Sequence, residues 1–565
     1  MRRAVLVFLS FSVGVGWGQL VQGQKQADFQ NLASLYAKRY GPTQWKLQLF
    51  NYNLLNISPW LNQIQQTTDD LGFYEIMGEY VASLNDAHSV YQNPSDFTAD
   101  LHFSCDIYDG KVLIDSIDRT TLPASKYPFQ VGDEVVMVDN RTPDDYIKDF
   151  SRFFSDANPV STSRDAAGLI PFRVQALEPR AEAVGATATV VIRRQKGDLE
   201  TFVIPWDKSG TPLTQIGKSP LPQRAGQQPR NTTQNPHPKP GDYRVPLRYL
   251  QKMVLPVKKA VLNFDTLPPV FNLPAGFTQR LGNGATDFYF TGTYQSGGKN
   301  IGFIRIPDFL AMGDFNNVLD AETSFDSEIA FMQQNTDGLV IDVMRNPGGF
   351  VCYAEDLVSR LVNHNFYDVN YELRAILSDV QSYQQAVLDA ENFGEPNYVV
   401  QILQQQTRIV SRAYQQDTLT SAISVCSVGS TRPPNKDSSG KLAIYTKPII
   451  VLADQFSASA AETFTAMFQD AKAGKLFGAR TLGAGGIVID GNSTGYYSEG
   501  TASIAVALVT RQHPVVTSDY PTAPLIENIG VRPDVENEYM TKSNLLNGGS
   551  DFVKAFTAQI LSMIK

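Results

Sequence analysis

The spacing of apolar residues changes along the chain and predicts two regions of different structure. Residues 25 to about 95 carry apolar positions three and four apart with few glycines, as in 29–40 and 57–84, which predicts helices. From Leu101 to about Trp206 the pattern changes to short runs separated by turn residues: LHFSCDIY, KVLIDSI, DEVVMVD, ATVVIRR and ETFVIPW. Such runs are typical of strands.

The pattern changes again beyond Asn300. The runs IGFIRI, GLVIDVM, PIIVLAD and SIAVALV are almost continuously apolar, as expected for a sheet that is covered on both faces. Helical stretches follow two of these runs, at about 353–363 and 460–472. This succession predicts an α/β core with a mostly parallel central part.

A segment with almost no apolar residues separates the strand-rich region from this core. Residues 209–242 are rich in Pro, Gln, Asn and Gly and cannot bury enough surface to offset the entropy lost on ordering. We favour the interpretation that this segment is a surface insertion that the fold tolerates. The alternative is a cleavable, propeptide-like segment, which would make the protein a zymogen.

Length and composition narrow the class of protein. A chain of 565 residues is too long for one hydrophobic core, and a net charge of −9 disfavours a nucleic-acid surface. Its histidines form no pattern of metal ligands, so we expect neither a metal nor another cofactor. Three cysteines, Cys105, Cys352 and Cys426, leave open one disulfide with a free thiol or three buried thiols.

The first residues, MRRAVLVFLSFSVGVGWGQ, have the order of a secretory signal peptide. Two arginines precede an apolar run, and small residues follow it near position 18. The run is shorter than the roughly 18 to 20 residues of a membrane span, although an uncleaved anchor is the alternative. We therefore expect a secreted or periplasmic protein without a membrane span after removal of the signal.

The strongest candidate for chemistry is a serine between a strand and a helix. In PIIVLADQFSASAAETFTAMFQDA an apolar strand enters a small-residue turn and then an amphipathic helix. A serine here presents its hydroxyl near a helix N-terminus, whose N–H groups stabilise developing negative charge. Ala458 and Ala460 leave room for the turn. Helix capping is the alternative role of such a serine.

A second turn, in GLVIDVMRNPGG, ends another buried strand. Gly348 and Gly349 are able to adopt positive φ and turn a backbone N–H into a cavity, as an oxyanion hole requires. A plain tight turn is the alternative.

Five motifs in this order resemble those of peptidase family S41, which includes the tail-specific and C-terminal processing proteases and the tricorn core protease. They are RNPGG at 345–349, SASAAE at 457–462, QDAKAGKLFG at 469–478, TLGAGG at 481–486 and ENIGVRPDVE at 527–536. The resemblance implies an α/β core of ClpP/crotonase-like β-α units. It also implies Ser459 as nucleophile, with Gly348, Gly349 and Ala460 forming the oxyanion hole.

The expected general base differs from that of one branch of the family. The bacterial processing proteases use a lysine within a TFGKG-like turn, and the matching position here is Ala484, which cannot accept a proton. Lys472 or Lys475 would be a substitute, which we disfavour. Asp470 matches a position that assists the missing lysine, so we expect it to support the structure.

A histidine upstream resembles the base of the tricorn-type branch. LNDAHSVY is similar to the LxDxHT-like motif of that branch, which implies His88 as general base, with Ser89 as a supporting neighbour. Glu527 in ENIGVRPD matches the acid that supports the histidine there. The implied site is Ser459–His88–Glu527.

Together these features predict an exported serine endopeptidase that acts on proteins or peptides. PFQVGDEVVMVDNRTPDDY resembles the strand–turn–strand of a PDZ domain, and the overall arrangement is similar to the chlamydial protease-like activity factor group, in which a homodimer is implied. The alternative is a non-catalytic protein that binds peptides or ligands on the same fold.

The predicted regions are a signal peptide (1–18), a helical region carrying His88 (25–98), an inserted, β-rich PDZ-like domain (99–207), a linker (208–245) and the protease core (246–565).

Overall fold

The computed structural model describes residues 19–214, 264–426 and 429–565. The predicted signal peptide and the predicted linker from residue 215 onward lie outside these residues. Within the described ranges, none of the helices combines the length and hydropathy that a membrane span requires.

Four helices form the N-terminal region. They are α1 (Gln22–Arg39), α2 (Thr43–Phe50), α3 (Ser58–Gln66) and α4 (Asp70–Ala82). The helix predicted over 29–40 is confirmed, whereas the one predicted over 57–84 is in fact two helices. Asp69 sets the break, because its side chain accepts the N–H of Gly72 at 2.7 Å and starts α4.

The strand-rich region folds around an antiparallel sheet of five strands, each of which matches one of the five short runs that predict strands. In chain order they are β3 (Phe103–Tyr108), β4 (Lys111–Ile117), β5 (Glu134–Val138), β7 (Thr187–Arg193) and β8 (Leu199–Pro205). The other elements are β2 (Thr98–Asp100), β6 (Phe172–Val174), β9 (Asp207–Ser209), α5 (Pro143–Phe150), α6 (Pro159–Gly168) and a short 3₁₀ helix, Ala181–Ala183. This region buries its own cluster of apolar side chains, including Phe103, Phe129 and Trp206, which is the mark of a separate domain.

The core contains a sheet of seven strands. In spatial order they are β10 (Thr278–Leu281), β11 (Phe290–Ser296), β12 (Lys299–Arg305), β13 (Gly338–Asp342), β17 (Ile449–Ala453), β18 (Lys475–Gly478) and β22 (Val535–Glu536). From β12 to β22 every pairing is parallel, which confirms the predicted parallel centre. Parallel neighbours end at the same edge, so the turns after β13 and β17 meet there.

The run SIAVALV lies outside this parallel sheet, contrary to the expectation that groups it with the other three. It belongs to β20 (Thr501–Val515), which pairs antiparallel with β1 (Tyr91–Gln92), β15 (Asn370–Leu373), β19 (Gly486–Ser493) and β21 (Ala523–Leu525). Helices α1 and α11 (Ala460–Asp470) both contact β20, so its residues are buried regardless of strand direction. Burial, and not parallel pairing, explains its apolar run.

The remaining helices pack around the two sheets. They are α7 (Val318–Asn335), α8 (Val351–Val358), α9 (Leu377–Asn392), α10 (Asn397–Gln416), α12 (Lys542–Asn547), α13 (Ser550–Met563) and a short 3₁₀ helix, Phe315–Asn317; β14 (Phe366–Tyr367) pairs with β16 (Thr431–Arg432). The helices predicted over 353–363 and 460–472 correspond to α8 and α11. A disulfide joins Cys352 on α8 to Cys426, and Cys105 is a buried free thiol. Of the two open alternatives, one bridge with one thiol is therefore correct.

Candidate active site

Ser459 stands directly before α11, at the turn that follows β17. Its backbone has φ 53° and ψ −113°, a conformation that is strained for a residue with a side chain. Its N–H donates to Oε2 of Glu462 at 3.1 Å, and the residue is 7% exposed. The turn holds this serine in a fixed, mostly buried position at the N-terminus of a helix.

Glu462 ties this turn to the TLGAGG turn. Besides the N–H of Ser459, its carboxylate accepts Thr481 Oγ1 at 2.5 Å and the N–H groups of Gly483 and Ala484, each at 2.7 Å. Burial raises the pKa of Glu462 to about 7, although these hydrogen bonds act in the opposite direction. Glu462 has no predicted role from the sequence; the signal that could have revealed one is its place three residues after Ser459, where an acid caps a helix.

The glycine turn after β13 touches Ser459. Gly348 has φ +94°, and a Cβ atom at this position would lie 2.7 Å from Cβ of Ser459 and 2.9 Å from the nitrogen of Ala460. Gly349 has φ +140° and no room for a side chain against the backbone of Phe309. Of the predicted oxyanion residues, Gly348 and Ala460 thus lie directly beside the serine, whereas Gly349 packs against the 309–310 backbone. The N–H of Gly348 donates to Oδ1 of Asn346 at 2.8 Å.

His88 lies in the loop after α4 and is 1% exposed. Its backbone N–H donates to Oδ1 of Asp86 at 2.7 Å. Neither ring nitrogen has a hydrogen-bond partner among the described residues. Burial, and then the charge of Lys46, lowers the pKa of His88 to about 4 against the opposing effect of Asp86. The imidazole is therefore neutral near pH 7, as a general base must be.

The loop of His88 converges on the same turns as the serine. A Cβ atom at Gly486, the last residue of TLGAGG, would lie 3.4 Å from Nδ1 of His88. Ala87 and Ala458, the neighbours of His88 and Ser459, belong to one buried apolar cluster. The TLGAGG turn therefore connects the base to the nucleophile.

Glu527 is completely buried beside His88. Its Oε2 accepts the N–H of Gly485 at 3.1 Å, and its Oε1 pairs with Nζ of Lys46. One ligand atom from each of Asp86, His88 and Glu527 lies within 4.8 Å of the other two. Burial and the charge of Asp86 raise the pKa of Glu527 to about 8, whereas Lys46 and Gly485 lower it.

These three groups are close enough together to contact a single cation. Lys46 already brings a positive charge to Glu527, and this fits a site for proton transfer better than a site for an ion. Lys46 was not predicted from the sequence, because nothing in the pattern of α2 distinguishes it from a surface lysine.

The other predicted residues lie around this centre or away from it. Ser89 is buried, and its N–H donates to the carbonyl of Asp86 at 3.1 Å. Asp470 ends α11 and forms an ion pair with Arg511 on β20, as a structural residue would. Lys472 and Lys475 are exposed, so neither stands in the buried site.

Known families and structures resemble this chain over most of its length. Residues 300–536 match the model of peptidase family S41, and residues 98–213 match the model of a PDZ domain. A protein of Chlamydia trachomatis serovar D is 22% identical over 625 residues, which cover 100% of this chain and 98% of that protein. A protein of Chlamydia pneumoniae is 23% identical, with 99% of this chain and 93% of that protein covered.

Two solved structures share the fold. The crystal structure of mature CPAF has a TM-score of 0.72 at 19% identity and covers 96% of this chain and 98% of its own. The structure of mature CPAF complexed with lactacystin has a TM-score of 0.71, also at 19% identity, and covers 96% and 99%. The mixed α/β fold with N-terminal helices and a PDZ domain is therefore confirmed. Residues 300–536 therefore resemble a peptidase of family S41, and residues 98–213 resemble a PDZ domain.

Proposed function

We propose that the protein is an exported serine endopeptidase that cleaves proteins or peptides through an acyl-enzyme on Ser459, with His88 as general base. The observation that carries this proposal is the convergence of a strained serine, a glycine turn and a neutral, buried histidine on the TLGAGG turn. A protein that only binds ligands has no need of this combination.

The reaction begins with transfer of the Ser459 hydroxyl proton to a ring nitrogen of His88 as Oγ attacks the substrate carbonyl. The imidazolium then gives this proton to the leaving amine, and a water molecule hydrolyses the acyl-enzyme by the same route. Glu527, within 4.8 Å of the His88 ligand atom, stabilises the positive imidazolium. Neither ring nitrogen is paired with any of the residues that the structure describes, and catalytic hydrogen bonds often form only in the bound complex.

The oxyanion would be held by backbone N–H groups around Ser459. Ala460 supplies the N–H at the start of α11, and the glycine turn supplies a second one. The N–H of Gly348 has to leave or share Oδ1 of Asn346 for this purpose. The N–H of Gly349 is the neighbouring donor.

A fluorophosphonate probe tests the nucleophile directly. We expect the purified protein to be labelled and Ser459→Ala to lose the label. Ser163→Ala is the control, because Ser163 is a half-buried serine whose hydroxyl donates to the carbonyl of Pro159. Labelling that survives Ser459→Ala would refute the assignment, and a folded but unlabelled wild type would favour the non-catalytic binding protein.

The proposals that the protein is exported and forms a homodimer rest on the sequence, and each needs its own measurement. N-terminal sequencing of secreted or periplasmic material should show cleavage near residue 18, and deletion of 1–18 should retain the protein in the cytoplasm. Light scattering of the purified protein should give the mass of a homodimer. An uncleaved N-terminus or a monomer would contradict the respective part of the proposal.

A further inference from the structure

Lys46 is a buried lysine that meets the proposed site from the N-terminal helices. It lies on α2 and is 1% exposed. Its Nζ donates to Oε1 of Glu527, to Oδ1 of Asn528 at 2.6 Å and to the carbonyl of Asn85 at 2.7 Å. We propose that Lys46 is a positioning residue of the peptidase: it fixes the Glu527 carboxylate beside His88 and joins the loop of His88 to the 527–528 turn. This inference rests on the proposed function.

Lys46 lies at the centre of a network that joins three distant segments. Asn528 donates through Nδ2 to the same carbonyl of Asn85 at 2.8 Å, and Nε1 of Trp45 donates to the carbonyl of Glu527 at 3.0 Å. The N–H of Asn528 donates to the carbonyl of Gly483 at 3.0 Å, within the TLGAGG turn. The position of Glu527 relative to His88 therefore depends on contacts with α2.

The hydrogen bonds also decide the protonation state of Lys46. A lysine ammonium has three N–H donors and no lone pair, whereas a neutral amine has two donors and one lone pair. Three acceptors surround Nζ at this site, which matches the ammonium ion. Lys46 is thus a fixed cation and does not replace the missing lysine base of the TLGAGG turn.

The electrostatic consequence concerns Glu527 first. Burial raises the pKa of this carboxyl and Lys46 lowers it, so removal of the cation makes Glu527 harder to ionise. Lys46 also lowers the pKa of His88 directly. The titratable groups that face the cluster are Asp86, His88, Glu527, Lys46, Tyr36 and Tyr40.

Activity falls on the acidic side of the pH profile, and this part of the profile is its acid limb. Both effects of removing Lys46 shift the acid limb to higher pH. A higher pKa of Glu527 requires a higher pH to ionise it, and a higher pKa of His88 requires a higher pH to free the base. For Lys46→Met we expect at least about a tenfold lower kcat at pH 7, little change in KM and an acid limb at higher pH. Lys46→Arg keeps the cation and should restore the position of the acid limb.

A matched control separates positioning from folding. Lys25 on α1 is equally buried and pairs at 3.3 Å with Asp70 at the start of α4, whereas His88 follows the end of that helix. We expect Lys25→Met to lose thermal stability like Lys46→Met but to keep the wild-type pH profile. If Lys46→Met also keeps the wild-type profile and kcat, the inference is wrong.

A double-mutant cycle identifies the partner through which Lys46 acts. In a Glu527→Gln background, Lys46→Met should cause little further loss of kcat, because the carboxylate that it holds is already gone. A full additional loss would overturn the assignment to Glu527.

The labelling experiment separates failure of this inference from failure of the proposed function. If fluorophosphonate labels wild type and not Ser459→Ala, Lys46 variants that do not show the expected effects count against the role of Lys46 alone. If Ser459 is not labelled, the proposed function fails, and thermal coupling between the two residues then measures only a structural ion pair.

Discussion

The nucleophile side and the base side of the proposed site are built in different ways. Around Ser459 the turns are held by hydrogen bonds: the Glu462 carboxylate accepts the N–H of Ser459, Thr481 Oγ1 and two N–H groups of the TLGAGG turn. The imidazole of His88 has no such bonds, because both ring nitrogens lack a partner among the described residues. The serine is set by local turns of one core, whereas the base depends on the docking of distant segments.

This difference suggests which side adapts when substrate binds. Backbone turns fixed by a buried carboxylate cannot move without losing several hydrogen bonds at once, and this preorganises the nucleophile. A buried imidazole with free nitrogens pays a desolvation cost that a bound substrate would relieve. We therefore expect the His88 loop, and not the Ser459 turn, to complete its hydrogen bonds in the substrate complex.

The substitution with the largest expected effect on activity removes the base. His88→Ala should lower kcat/KM by about 10²–10⁴-fold, the range for loss of a general base, and should leave folding intact. Steady-state kinetics with a peptide substrate measures this, with circular dichroism as the check on folding. His102→Ala is the control, since His102 lies in the PDZ domain beside Asp118 and Asp207. Turnover near the wild-type level in His88→Ala would mean that another group is the base.

A smaller but still large effect is expected from a methyl group on the nucleophile side. Gly348→Ala places a Cβ atom 2.7 Å from Cβ of Ser459 and 2.9 Å from the nitrogen of Ala460, where only rigid atoms surround it. We expect about a 10²-fold loss in the rate of fluorophosphonate labelling, comparable to loss of one oxyanion donor.

The control for this substitution is Gly298→Ala in the hairpin between β11 and β12. Gly298 also has positive φ, +71°, but a Cβ atom there meets nothing within 4 Å. It therefore carries the same kind of backbone strain without the contact to the serine. Equal loss of labelling in both variants would show that strain, and not the geometry of the oxyanion hole, is responsible.

The two sides also differ in how far the sequence predicts them. Ser459 and Gly348 stand in continuous strand–turn motifs, and local pattern predicts both turns, whereas the family resemblance assigns them to one site. His88 and Glu527 are far apart in the chain, and only the family resemblance pairs them. Lys46 escapes prediction altogether, because its burial depends on packing between α2 and a turn far along the chain.

The fold follows the same rule. The five strands of the central PDZ sheet are predicted one by one from short apolar or alternating runs, whereas the short strands β2, β6 and β9 and the antiparallel partners of β20 are not predicted. The apolar run of β20 reports burial on both faces but not strand direction. Short-range pattern determines the elements, and long-range packing determines which of them meet.

The smallest expected effect is a displacement of the acid limb of the pH profile, and it shows which group of the base side limits the reaction. If His88 limits it, kcat/KM should fall only well below pH 6.5, because burial and Lys46 hold the pKa of this imidazole near 4 and it stays neutral above that value. If ionisation of Glu527 limits it, activity should instead rise through about pH 8, since burial raises the pKa of that carboxyl to about 8. We expect the first profile, because protonation of Glu527 would leave the buried Lys46 ammonium without a counter-charge. A profile of kcat/KM from pH 4 to 9 decides, and an acid limb at or above pH 6.5 would contradict the expectation.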